Sequence, residues 1–168
     1  LYKHPKIEEI IEGRLLNIGF GSEEINETRS SDYFTDENSQ VPLLKGDSII
    51  AYLKPKAARF LDKNHFREKS KHNYAHYFRL VWGDIRNINM AKRLCFTIAP
   101  PNHAIGNSLN YIIQKDGDKE QLQYLAGILN SYVIEYRFRK TSSNNNVNKR
   151  LIKDMPINVG AIGSGLYS

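Results

Sequence analysis

Three histidines, one aspartate and a short glycine motif are the residues of this 168-residue chain best placed to do chemistry. His65, His72 and His76 fall within one short stretch, and the four-residue step from His72 to His76 sets two imidazoles on one helix face, a metal-ligand spacing. No glutamate completes an HExxH pattern and no third ligand is fixed. Solvated or phosphate-contacting histidines in a basic segment are therefore the better reading. Asp84 sits between two strand-like runs, where a nuclease would hold divalent metal beside a scissile phosphate. Its second carboxylate is missing, because no Glu-x-Lys follows and the next strand reads Arg93-Leu94-Cys95-Phe96-Thr97. Asp84 reads instead as a turn cap or as the partner of Arg79, Arg86 or Arg93. Gly19-Phe20-Gly21-Ser22 resembles part of a phosphate loop, yet no GxxxxGK[ST] or GxGxxG stands between a strand and a helix, so a plain turn is expected. The chain also lacks Asn-Pro-Pro-Tyr, the sequence that holds the target base in amino-methyl transfer.

With catalytic patterns set aside, side chains that contact rather than react come forward. The net charge is +6, which favours a polyanionic partner without proving one. Phosphate contacts need Lys, Arg and small polar donors, whereas base edges are read by Arg, Asn, Gln, Ser and Thr. The Lys54–Lys71 connector supplies the first kind, with a solvated helix face as the alternative. Asn102, His103, Asn107 and Ser108 follow the Pro100-Pro101 turn and suit a loop tip. Asn144, Asn146 and Lys149 lie in the polar run TSSNNNVNKR, which reads equally as a flexible surface linker. Lys45, Arg79, Arg86, Arg93, Arg137, Arg139 and Lys140 complete the candidate contact set.

These residues need elements to position them. Period-two alternation marks Tyr77–Trp82 as a strand with Arg79 on one face. Arg93–Ala99 is a second strand, stopped by the two prolines, and Leu109–Gln114 is a third. The Val41–Leu53 region adds strand character around a Lys45-Gly46-Asp47 turn. Leu122, Leu125, Ala126, Leu129, Val133 and Tyr136 recur at helical spacing and predict one helix over 119–139, with acids at its start and bases at its end. Residues 19–40 read as an irregular acidic loop, and 54–77 as a mainly helical basic connector. The expected fold is α+β: a mixed, largely antiparallel sheet packed by the long 119–139 helix. Residues 1–158 form one domain in this reading, and 159–168 a tail or linker.

Cys95 is the single cysteine, so no internal disulfide forms and a reducing cytoplasm fits. No apolar run approaches the ~20 residues of a membrane span, and there is no signal-peptide pattern. The start at Leu1 rather than Met reads as a piece of a longer polypeptide.

In order along the chain, PLLKGDSIIAY, RLVWGDIRN, RLCFTIAPPNHAIGNSL and YLAGILNSYVIEYRFRK, then an Asn-rich segment and DMPI, resemble a known pattern. It is similar to the target-recognition domains of type II restriction–modification enzymes, the group with the TaqI-like and Eco57I-like specificity domains. The resemblance covers roughly Gly19 to Ile157. It implies that this chain recognises a double-stranded DNA sequence, with no catalytic residue or cofactor of its own. It implies nuclease and adenine-methyltransferase domains in the same polypeptide, using magnesium and S-adenosylmethionine. Family members often carry an arginine just after the strand's tryptophan, where this chain has Gly83, so Arg86 or Arg93 must make any equivalent contact. Two other readings compete: a self-contained metal-dependent nuclease centred on Asp84, and a protein-interaction module using the acidic 23–37 loop.

Overall fold

The computed structural model describes residues 4–12, 18–57, 59–69 and 73–158. Its architecture is α+β, as expected, with two four-stranded sheets in place of one. The first sheet has the order β1-β8-β5-β6, from β1 (Ile18–Ser22), β8 (Leu109–Gln114), β5 (Arg79–Gly83) and β6 (Phe96–Ala99), and is antiparallel throughout. The second has the order β2-β4-β3-β7, from β2 (Phe34–Thr35), β4 (Arg59–Leu61), β3 (Val41–Leu44) and β7 (Ala104–Ile105). Its β3–β7 pair is parallel.

Alternation along the first sheet feeds two cores. Leu80, Trp82, Phe96 and Ile112 face a helical layer made of α1 (Ile7–Glu12), α3 (Lys119–Leu129), α4 (Tyr132–Thr141) and α5 (Lys149–Lys153). Val81, Ala99, Tyr111 and Ile113 face the other way and meet Leu44, Ile49, Ile105 and Leu109. Beyond the second sheet, Leu43, Leu61 and Ala104 pack with Phe66 of α2 (Lys63–Lys69) and with Ala75. The central sheet is thus covered on both faces, and every residue of β5 and β8 is buried.

The predicted 119–139 helix is two helices. Asp118 caps α3 by accepting the N–H groups of Glu120 and Gln121, as its sequence position implies. Asn130 and Ser131 then interrupt the helix. Ser131 takes extended geometry and its hydroxyl accepts the N–H of Ile134, starting α4 afresh. The break rotates the apolar stripe: Ile134 and Phe138 enter the core, while Val133 and Tyr136 are 77% and 66% exposed.

Other expectations shift for related reasons. The 19–40 loop contains β1 and β2, and the 54–77 connector contains β4, α2 and a 3-10 turn at Asn73–His76. The strands of the second sheet are two to four residues long and exist through pairing with distant segments, so they carry little periodicity of their own. Residues 49–53 form no strand. The Asn-rich 142–148 run is not a free linker: Val147 N–H donates to the Asp84 carbonyl at 2.7 Å, and Trp82 Nε1 donates to the Val147 carbonyl at 2.7 Å.

Candidate nucleic-acid interface

β5 ends at Gly83 directly opposite Leu109, where β8 begins, so the loops beyond them emerge side by side. Asp84 N–H donates to the Ser108 carbonyl at 3.0 Å. The Ser108 hydroxyl accepts the N–H of Gly46 at 3.0 Å, drawing in the turn that carries Lys45. Arg86 N–H donates to the Asn145 carbonyl at 2.8 Å, and the Asn145 side-chain oxygen accepts the N–H of Ile88 at 2.8 Å. Four segments far apart in sequence therefore converge at one end of the central strands. They bring together Lys45, Arg86, Asn107, Ser108, Asn144 and Asn146, with Asn107, Asn144 and Asn146 exposed.

Arg86 is the cation best placed in this cluster. Its side chain lies over Gly83, where an added Cβ would stand 3.1 Å from Nε. One guanidinium nitrogen donates to the Ile49 carbonyl at a long 3.4 Å, and Nε has no protein partner. Gly83 thus provides the space that Arg86 fills. Lys45 lies 2.7 Å from a Glu27 carboxylate oxygen, and the other Glu27 oxygen is buried without a partner.

The C-terminal end of α4 borders the cluster. Arg139 pairs with Glu135 at 2.6 Å and donates to the carbonyls of Met90 and Ile88 at 2.5 and 3.4 Å, bracing the 84–92 loop. Arg137 and Lys140 are exposed, and Lys140 lies over the Tyr136 ring. Lys149 opens α5 behind the Asn148 cap and lines a separate hollow with Glu8 and Phe20.

Arg79 and Arg93, expected on the reading surface, are instead both 0% exposed. Arg79 pairs with Glu24 at 2.5 Å and donates to the His103 carbonyl at 2.7 Å. It shares the β5 face of Val81, which the second sheet covers. Arg93 donates to the carbonyls of Asn144 and Ser142 and packs 4.8 Å from the Phe138 ring centroid. Neither is the partner of Asp84, whose carboxylate accepts the Asn110 side-chain amide at 2.8 Å. Asn102 and His103 lie at the opposite end of β5, next to Ala75, whose carbonyl accepts the Asn102 N–H at 2.6 Å.

Of the candidate metal ligands, His72 falls outside the described residues. His65 Nε2 is 3.0 Å from the Ser30 hydroxyl and its ring stacks on Tyr33, while His76 is exposed. Among the described residues, no three His, Cys, Asp or Glu side chains group as a metal site would require. None of the described helices is long and apolar enough to cross a membrane. Sequence reasoning missed Lys92, which lies between the rings of Tyr52 and Tyr132 at 5.5 and 5.4 Å. It also missed Glu24 and Glu27, because their loop read simply as acidic. Two of that loop's carboxylates are engaged, Glu24 with Arg79 inside the protein and Glu27 with the half-buried Lys45.

A search of the curated proteins finds no match. The family model of the TaqI-like C-terminal specificity domain matches residues 41–157, more than half of the chain, and spans β3 through α5 with every loop of the cluster. The chain belongs to the family of TaqI-like C-terminal specificity domains.

Proposed function

We propose that this chain is the sequence-reading part of a type II restriction–modification enzyme, recognising double-stranded DNA through the 45–48, 84–92, 106–108 and 143–146 loops. The observation that carries the reading is their convergence, which sets Arg86, Asn107, Asn144 and Asn146 around one end of a rigid central sheet. Arg is the side chain that grips guanine O6 and N7 bidentately, and Asn does the same for adenine N6 and N7. Lys45, Arg137 and Lys140 flank them as phosphate contacts that fix register, while Arg139 braces the 84–92 loop behind them. Asn102, His103 and Lys149 lie outside the cluster and bear on DNA only beyond the bases it reads. Arg93 acts from inside on the Asn-rich loop of the cluster, and Arg79 holds the Pro101–His103 turn at the far end of β5.

In this reading the chain supplies no catalytic residue. Nuclease and adenine-methyltransferase domains of the same polypeptide, using magnesium and S-adenosylmethionine, act at the site it selects. Passing a random duplex library over the protein tests the reading. Enrichment of one defined motif is expected, together with the same motif in the methylated sites of cells making the parent enzyme. Equal retention of every sequence, or binding that ignores salt, would overturn it.

A further inference from the structure

At the end of β3 away from the loop cluster lies a cleft of about 680 Å³, between the Ser39–Pro42 segment, α2 and the Pro101–His103 turn. Its volume falls within the ~300–1,000 Å³ range of ligand clefts. Lys63, Arg67, His76 and His103 line it beside the amides of Gln40 and Asn102, and no carboxylate lines it among the described residues. Two acids that flank the lining segments have partners of their own. Asp62 accepts the N–H groups of Asn64 and His65 at 3.0 and 2.9 Å, and Glu37 accepts the Gln40 amide at 3.5 Å. Among the described residues, neither Lys63 nor Arg67 has a carboxylate partner. Concave geometry with two cations that no described carboxylate pairs is what an anion selects.

We propose that this cleft holds a backbone phosphodiester of the duplex read by the loop cluster, a claim that rests on the DNA-recognition reading above. β3 connects the two sites: Val41 and Pro42 line the cleft, and Lys45 follows Leu44 into the cluster. A four-residue strand spans roughly 13 Å, close to the ~12 Å width of the major groove. Loops entering that groove therefore set the cleft at the distance of the phosphates that border it. Asn102 is presented there in left-handed geometry, with φ of 60°, by its hydrogen bond to the Ala75 carbonyl. Asparagine is one of the few side chains that tolerate this conformation.

Lys63 and Arg67 are both exposed, so a Lys63→Ala/Arg67→Ala variant keeps the fold, which an unchanged melting temperature confirms. Binding of a mixed-sequence duplex and of a library-enriched duplex is measured across a salt series for the intact protein and for this variant. The variant is expected to bind both duplexes roughly tenfold more weakly, with a salt slope shallower by about one to two units. Unchanged affinity and slope, with a wild type that binds, overturns the cleft and leaves the loop cluster standing. A selective loss on the enriched duplex overturns it too, since that is base reading. A wild type that binds neither duplex at low salt sinks both proposals.

Discussion

Asn130 hydrogen-bonds both backbone groups of Phe96, accepting its N–H and donating to its carbonyl, each at 2.9 Å. One side chain thus does for the edge strand β6 what a neighbouring strand would do. Glu135 continues the seal by accepting the N–H groups of Arg93 and Leu94. An edge closed in this way offers little for another chain to pair with. Asn130→Ala leaves two buried backbone groups unsatisfied, at about 1–3 kcal/mol each. The urea midpoint should fall by a corresponding amount with the slope unchanged. A shift below half a kilocalorie would show that water replaces the amide.

Glu24 and Arg79 form an ion pair that solvent does not reach. Removing either partner strands the other charge inside the protein. Glu24→Gln and Arg79→Met should each destabilise by about 3–5 kcal/mol, and the double variant by clearly less than their sum. Denaturation of the four proteins completes the cycle. Additive losses would mean that the two side chains do not depend on each other.

Gly83→Ala places a methyl group against the Arg86 guanidinium with little backbone consequence. The melting temperature should change little, because the atoms the methyl group meets belong to the Arg86 side chain and not to backbone. Discrimination between library-enriched and scrambled duplexes should weaken by about 1–3 kcal/mol in this variant and in Arg86→Ala alike. Retained discrimination in both variants would remove Arg86 from the reading set.

Burial holds the His103 imidazole below its ordinary pKa near 6.5, against the opposing hydrogen bond to the Pro101 carbonyl. The folded state therefore takes up its proton less readily than the unfolded chain. The stability this contributes is complete above about pH 6.5 and is lost as pH falls towards the depressed value. Between pH 7.5 and 5.5 the wild type should lose more stability than His103→Gln, measured by urea midpoints. Equal losses would place the acid sensitivity elsewhere.

The sequence made the central sheet legible because β5, β6 and β8 are each bracketed by turn residues and strongly apolar. Asp118 likewise announced the start of α3. Alternation put Arg79 on one face of its strand correctly, but alternation cannot say that both faces are covered, so an internal ion pair looked like a surface contact. The Asn130-Ser131 break was written in good cap residues, yet an unbroken apolar stripe through Val133 and Tyr136 outweighed it. Lys45, Arg86, Asn107 and the asparagines were recognisable as contact types. Their meeting point depends on hydrogen bonds between segments some twenty to sixty residues apart, which local pattern does not encode.

The 84–88 and 145–147 segments hold each other through main-chain groups, Arg86 N–H to the Asn145 carbonyl and Val147 N–H to the Asp84 carbonyl. Bonds of that kind ignore the identity of the residues that make them. Ile85 and Asn146 can then be exchanged while the loops keep their shape, whereas the Asn144 side chain accepts the Asn146 N–H at 2.9 Å and helps to set it. In the proposed reading the domain has the properties of a typesetter's frame: the frame stays fixed, and a new recognition sequence requires new letters alone.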